Sequence, residues 1–202
     1  DNLWNQLKEM RETLFSDPNL RQGFDLVGHS QGGLLSRAFV QAFGRNDGLF
    51  KVDKLITWGS PHRGYFGTPW SNREHTALKC ISYIVRRIGQ TTIRCFDLSK
   101  KKSIFQMWND PYLHREHKDK LENSHFMSII NNEINHPYNE HFKKNLKELS
   151  KFVLFNSNQE SVISPSASCW FHYYGDKQEK MIEPYCNTPY YYQDVLGIKF
   201  LE

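Results

Sequence analysis

Ser30 lies in the stretch GHSQGG, Gly28 to Gly33, with a glycine two residues before it and another two residues after it. A serine hydroxyl is a weak nucleophile until a base takes its proton and donors stabilise the oxyanion that its attack creates. Gly-x-Ser-x-Gly between a strand and a helix meets the geometric part of that need. The tight turn strains the backbone and thrusts the hydroxyl out at the carboxyl end of a sheet. Gly28 and Gly32 are expected where the strand and helix backbones crowd. The backbone N–H of Gln31 is expected to face the oxyanion, aided by the positive end of the following helix.

The flanking residues supply that context. Phe24 to Val27 reads as a short buried strand, and LLSRAFVQAF, Leu34 to Phe43, places apolar residues on one helical face. GHSQGG is thus a nucleophile elbow, and the fold class it predicts is α/β, an α/β-hydrolase core. Leu3, Trp4, Leu7, Met10, Leu14 and Phe15 predict a helix that Asp17-Pro18-Asn19 ends. Lys54 to Trp58 reads as a second strand, closed by Gly59-Ser60-Pro61, and the short joints are those of a parallel sheet flanked by helices. From about 62 to 150 the chain turns richer in charge, His and Asn, with helical patterns best at 75–89 and 141–150. That stretch is expected to be a helical insertion into one α/β-hydrolase-like domain spanning 1–202. KFVLF, 151–155, returns as a strand.

Bulk composition narrows the function. Apolar residues make up 39% and aromatics 14%, enough for a packed core. The net charge of +4 is spread, and the one basic run, Lys100-Lys101-Lys102, reads as a solvated loop or a weak attraction to an anionic membrane surface. No nucleic-acid partner is indicated. No apolar run approaches the roughly 18 residues of a spanning helix. The chain begins with Asp, so a missing leader peptide says little about compartment. The four cysteines, at 80, 95, 169 and 186, fit no zinc or redox spacing, and no metal or cofactor is expected. If WFHYY and MIEPY are two strands around a Gly-Asp turn, Cys169 and Cys186 lie about opposite each other. A disulfide there, with Cys80–Cys95 as the other pair, is one reading; four separate buried thiols is the other.

GHSQGGLLSRAFVQ resembles the nucleophile segment of the palmitoyl-protein thioesterases. The resemblance extends through 107–155, 163–175 and 188–202 in order and spacing, and the Trp108–Tyr112 and Ser168–Tyr174 blocks make it specific. It implies a lysosomal or secreted monomer that removes palmitoyl-type long-chain groups from S-acylated proteins or peptides through a Ser–acid–His triad. Ser30 matches the nucleophile and the Gln31 amide one oxyanion donor. Glu160, in NQESVISP, stands where the family usually has Asp, and Asp194 is the second choice. The family's order is Ser, acid, His. Only His172 follows Glu160, and it reads as a hairpin position. His29 is expected to pack and His62, in GSPHRG, to be structural. The family's histidine and the His-Gly loop that supplies a second oxyanion donor have no counterpart here. The expectation is a chain that is part of a larger sheet, truncated and inactive alone. An acyl groove is expected in the insertion, with Ile81, Ile84, Val85, Ile88, Phe126, Ile129 and Ile130 as candidate linings or else as core. A lipase or oxygen-ester acyl hydrolase, and a non-catalytic acyl-binding protein, are the alternatives.

Overall fold

The structure is a computed structural model that describes residues 1–46, 50–67, 102–112, 126–175 and 180–199 of the 202-residue chain. Helix α1, Leu3–Ser16, starts at Asn2, whose side chain accepts the Asn5 N–H at 2.8 Å, and it buries Leu3 and Leu7. Asp17 closes it and caps a 3-10 turn, Pro18–Gln22. Strand β1 is Phe24–His29, helix α2 Gln31–Phe43, strand β2 Arg45–Asn46 and strand β3 Phe50–Trp58. Short helices α3, Ser103–Gln106, and α4, Phe126–Ile130, precede α5, Asn139–Lys147, and strand β4, Lys151–Phe155. Between Pro61 and Lys151 the described residues hold helices and turns, with one isolated bridge joining Tyr65 to Trp108. The predicted helix at 75–89 lies outside the described residues.

β1, β3 and β4 form a parallel sheet in the order β1-β3-β4, and β2 pairs antiparallel with the start of β3. Val27, Ile56 and Val153 share one row; His29, Trp58 and Phe155 share the next. Leu26 and Leu55 point the other way, into a core built with Leu34, Ala38 and Phe39 of α2, Leu3 and Leu7 of α1, and Leu146 of α5. A strand's side chains alternate between faces, and β1 follows that rule. It is therefore not buried throughout: Val27 is 74% exposed.

The aromatic hairpin is shorter than WFHYY suggests. β5 is only Tyr173–Tyr174 and pairs with β6, Ile182–Glu183. Ser166–Trp170 and Tyr185–Asn187 are 3-10 turns, and Phe171 takes a left-handed φ of 63° that breaks the strand. The chain ends its described part with α6, Pro189–Tyr192, and a loop to residue 199. The disulfide reading fails for Cys169 and Cys186. Both are free thiols, one buried and one exposed, because each sits on a turn that leaves the ladder. Cys80 and Cys95 lie outside the described residues.

Candidate active site

Ser30 occupies the corner between β1 and α2 with φ 52° and ψ −127°, a backbone conformation that non-glycine residues rarely hold. Three bonds hold the corner: the Ser30 N–H donates to the Trp58 carbonyl at 2.9 Å, and the Ser30 carbonyl accepts the Gly33 N–H at 3.1 Å and the Leu34 N–H at 3.4 Å. The Ser30 side chain makes no capping bond to α2, so its hydroxyl is not consumed by the helix it precedes. Gln31 opens α2, where the first N–H groups have no intrahelical acceptor. Its side chain donates to Gln6 Oε1 at 2.8 Å and ties this end of α2 to α1.

The crowding glycines are 28 and 33, not 28 and 32. A methyl on Gly28 would collide with the backbone of Gly33. A methyl on Gly33 would strike the Ser60 side chain and come 2.9 Å from the Gly28 carbonyl. A methyl on Gly32 would meet nothing within 4 Å. The strand-to-helix contact is thus Gly28 on Gly33, with the Ser60 loop closing over it. The adjacent Gly32-Gly33 pair was the available signal, but which of the two faces the strand depends on the helix phase.

Glu160 lies in the loop after β4, half-buried. Its Oε1 accepts the Val162 N–H at 2.6 Å and the Ile163 N–H at 3.1 Å, which fixes the carboxylate in place. Its Oε2 faces Gly59, the residue after β3: a Cβ there would lie 3.7 Å from Glu160 Oε2 and 4.0 Å from His29 Nε2. Gly59 has φ 53° and donates to the Phe155 carbonyl at 2.8 Å. Serine corner, glycine, carboxylate and the exposed His29 ring therefore gather at the carboxyl ends of β1, β3 and β4. The nearby Cys169 thiol is pushed up to about 12, first by burial and then by the Glu160 carboxylate, so it stays protonated.

The other candidates lie elsewhere. His62 is fully buried, with Nε2 2.9 Å from Thr57 Oγ1 and its ring stacked on Phe171 at 4.8 Å. Burial, then the nearby Arg37 charge, holds it well below the usual histidine range. His172 Nδ1 accepts the Tyr185 N–H at 3.0 Å, and burial lowers its pKa. It lines an apolar cavity of about 220 Å³ with Phe152, Leu154 and Tyr185. Asp194 is a loop clamp: Oδ1 accepts the Lys199 N–H at 3.3 Å and Oδ2 pairs with Lys147 at 3.6 Å. Phe126 and Ile129 are buried packing residues; the Phe126 ring lies 4.8 Å from Trp4. Ile84 and Ile88, with Ile81 and Val85, lie outside the described residues. Among the described residues no group of three or more His, Cys, Asp or Glu could hold a metal ion.

A parallel sheet flanked by helices, with a strained serine where β1 meets α2, has the architecture of an α/β hydrolase. The chain belongs to the palmitoyl protein thioesterase family, whose model matches residues 1–202. It is 34% identical to palmitoyl-protein thioesterase 3 of Dictyostelium discoideum over 98% of this chain and 62% of that protein. It is 32% identical to palmitoyl-protein thioesterase 1 of Caenorhabditis elegans over 92% of this chain and 58% of that protein. It is 29% identical to lysosomal thioesterase PPT2 of Rattus norvegicus over 98% of this chain and 61% of that protein. The chain thus spans about three fifths of the length of these curated relatives.

Proposed function

We propose that the protein is a serine hydrolase that removes long-chain fatty acyl groups from S-acylated cysteine in proteins or peptides. Ser30 Oγ attacks the thioester carbonyl carbon while an imidazole takes its proton. The oxyanion is stabilised by the Gln31 N–H. Collapse breaks the carbon–sulfur bond, and the thiolate leaves with the proton from the imidazolium. Water then attacks the acyl-serine, the acid departs and Ser30 is restored. Glu160 orients and charge-stabilises the imidazole. Among the described histidines, His62 and His172 are engaged in packing and backbone contacts, and His29, His136 and His141 precede Glu160 in the chain, so none of them is assigned as that base.

The observation that carries this reading is the φ of 52° at Ser30 in its strand–corner–helix setting, with the Glu160 carboxylate beside Gly59. Thiolate departs readily, so selectivity rests on gripping the chain, at about 0.8 kcal/mol per buried methylene. The relatives named lysosomal thioesterase support a lysosomal location. No helix among the described residues is long and apolar enough to cross a membrane.

Protein expressed from its complete reading frame is expected to be labelled by a fluorophosphonate probe and to hydrolyse a palmitoyl thioester. Ser30→Ala should abolish both. Fatty-acid binding without labelling would replace the enzyme by an acyl-binding protein. Faster turnover of the matching oxygen ester would point to a lipase-like activity of the same elbow.

A further inference from the structure

Three fully buried polar side chains meet behind the serine corner: Arg37 and Gln41 on α2, both 0% exposed, and Asn131 just after α4, 1% exposed. Arg37 Nη2 donates to Asn131 Oδ1 at 2.8 Å and to the His62 carbonyl at 3.0 Å. Gln41 Nε2 donates to the Ile130 carbonyl at 2.6 Å. Those bonds use only part of each group. Arg37 Nε and Nη1 and Asn131 Nδ2 are buried donors without an acceptor, and Gln41 Oε1 is a buried acceptor without a donor.

The three side chains are neighbours. Arg37 and Gln41 are four residues apart and stand on one face of α2. Their partners, Asn131 and Ile130, are consecutive. Buried polar atoms are almost always satisfied by protein or by ordered water, and a buried water needs two to four polar partners. The unpaired set matches water chemically: it contains donors for the two lone pairs and an acceptor for a hydrogen. A bare anion fits less well, because Gln41 Oε1 would present it with a lone pair.

We infer that an ordered internal water is bound between α2 and the end of α4, accepting from Arg37 and Asn131 and donating to Gln41 Oε1. Burial holds the Arg37 guanidinium down to about 9, and its central carbon lies 5.1 Å from the centre of the Phe171 ring. Direct bonds tie α2 to the loop after β3 and to residues 130 and 131, and the water adds one more joint between α2 and Asn131, seven to eleven residues behind Ser30. Its existence does not depend on the proposed hydrolysis.

A high-resolution crystal structure from crystals soaked in sodium bromide tests this. The expected result is a peak at hydrogen-bonding distance, about 2.7–3.2 Å, from Arg37 Nε or Nη1, Asn131 Nδ2 and Gln41 Oε1, with no anomalous bromide signal. A bromide peak there would make it an anion site. An empty position, with Arg37 bonded directly to Gln41 Oε1, would remove the inference. In Gln41→Met the peak is expected to vanish and the unfolding equilibrium constant to rise about tenfold. A peak retained at full height in that variant also overturns the assignment.

Discussion

At the scale of single residues, the costliest feature is the Ser30 backbone. A non-glycine residue held in a sparsely populated region costs about 1–3 kcal/mol and persists only when its surroundings over-determine it. Here the Trp58 carbonyl and the Gly33 N–H grip the residue from both sides. Glu160 is held similarly, by two backbone N–H groups on one oxygen, which leaves the other directed at Gly59. If Glu160 is the triad acid, Glu160→Ala should lower thioester turnover by about 10⁴-fold, the loss typical of removing a triad acid. Asp194→Asn should leave turnover unchanged, because Asp194 serves a Lys147–Lys199 clamp; equal losses in both variants would dismiss Glu160. His62 makes a separate prediction. It is neutral in the fold, while the unfolded chain protonates it below about 6.5. The unfolded state then binds more protons, so His62's contribution is intact above pH 6.5 and falls as the pH drops toward the lowered native value. The slope is about 1.4 kcal/mol per pH unit for one such histidine. Urea titrations at several pH values should show it, and an NMR titration should find the folded His62 ring not titrating near 6.5. A normal titration there would contradict the burial argument.

At the scale of elements, the site is a contact between β1 and α2 that only two glycines permit. Gly33→Ala should destabilise the protein by about 1–3 kcal/mol through overpacking against Ser60 and Gly28. Gly32→Ala should be neutral or stabilising by up to about 1 kcal/mol, since helical glycine costs that much relative to alanine and the space is open. Thermal melts of both variants check the pair, and equal effects would mean that the corner is not packed this way. α1, α2 and β4 were legible because their periods are strong and their ends carry Pro18, Gly44 and flanking polar residues. The strand reading of WFHYY was not, because an aromatic β-like run was overridden by Phe171 in a left-handed conformation and by two 3-10 turns. With it went the Cys169–Cys186 pairing.

At the scale of the whole molecule, the described sheet has one face against α2 and another that is open at its carboxyl half. Val27 is 74%, Trp58 61% and Phe155 53% exposed, and the Trp58 and Phe155 rings lie 6.2 Å apart. Parallel sheets normally have both faces covered, and open apolar patches bind whatever hides them from water. The 202-residue chain by itself is expected to bind the dye ANS in its folded state, and Trp58→Thr with Phe155→Thr should reduce that fluorescence markedly. Unchanged dye binding would place the apolar surface elsewhere. Beneath the other face, polar groups such as Arg37, Gln41 and Asn145 cross-link α2, α4 and α5, so the helical layer is fastened by hydrogen bonds as well as by apolar burial.

The sequence alone determined the elbow, the order of strands and helices around it, and the family resemblance. Each rests on contiguous residues whose spacing dictates a local conformation. Only the tertiary structure decided that Gly33 rather than Gly32 meets the strand, that Glu160 comes beside Gly59, and that Val27 faces outward. It also showed two cysteines on separate turns and a buried arginine bonded to a residue 94 positions away. Such neighbours are brought together by the packing of helices on a sheet, and no period along the chain encodes which distant group will fill the space beside them.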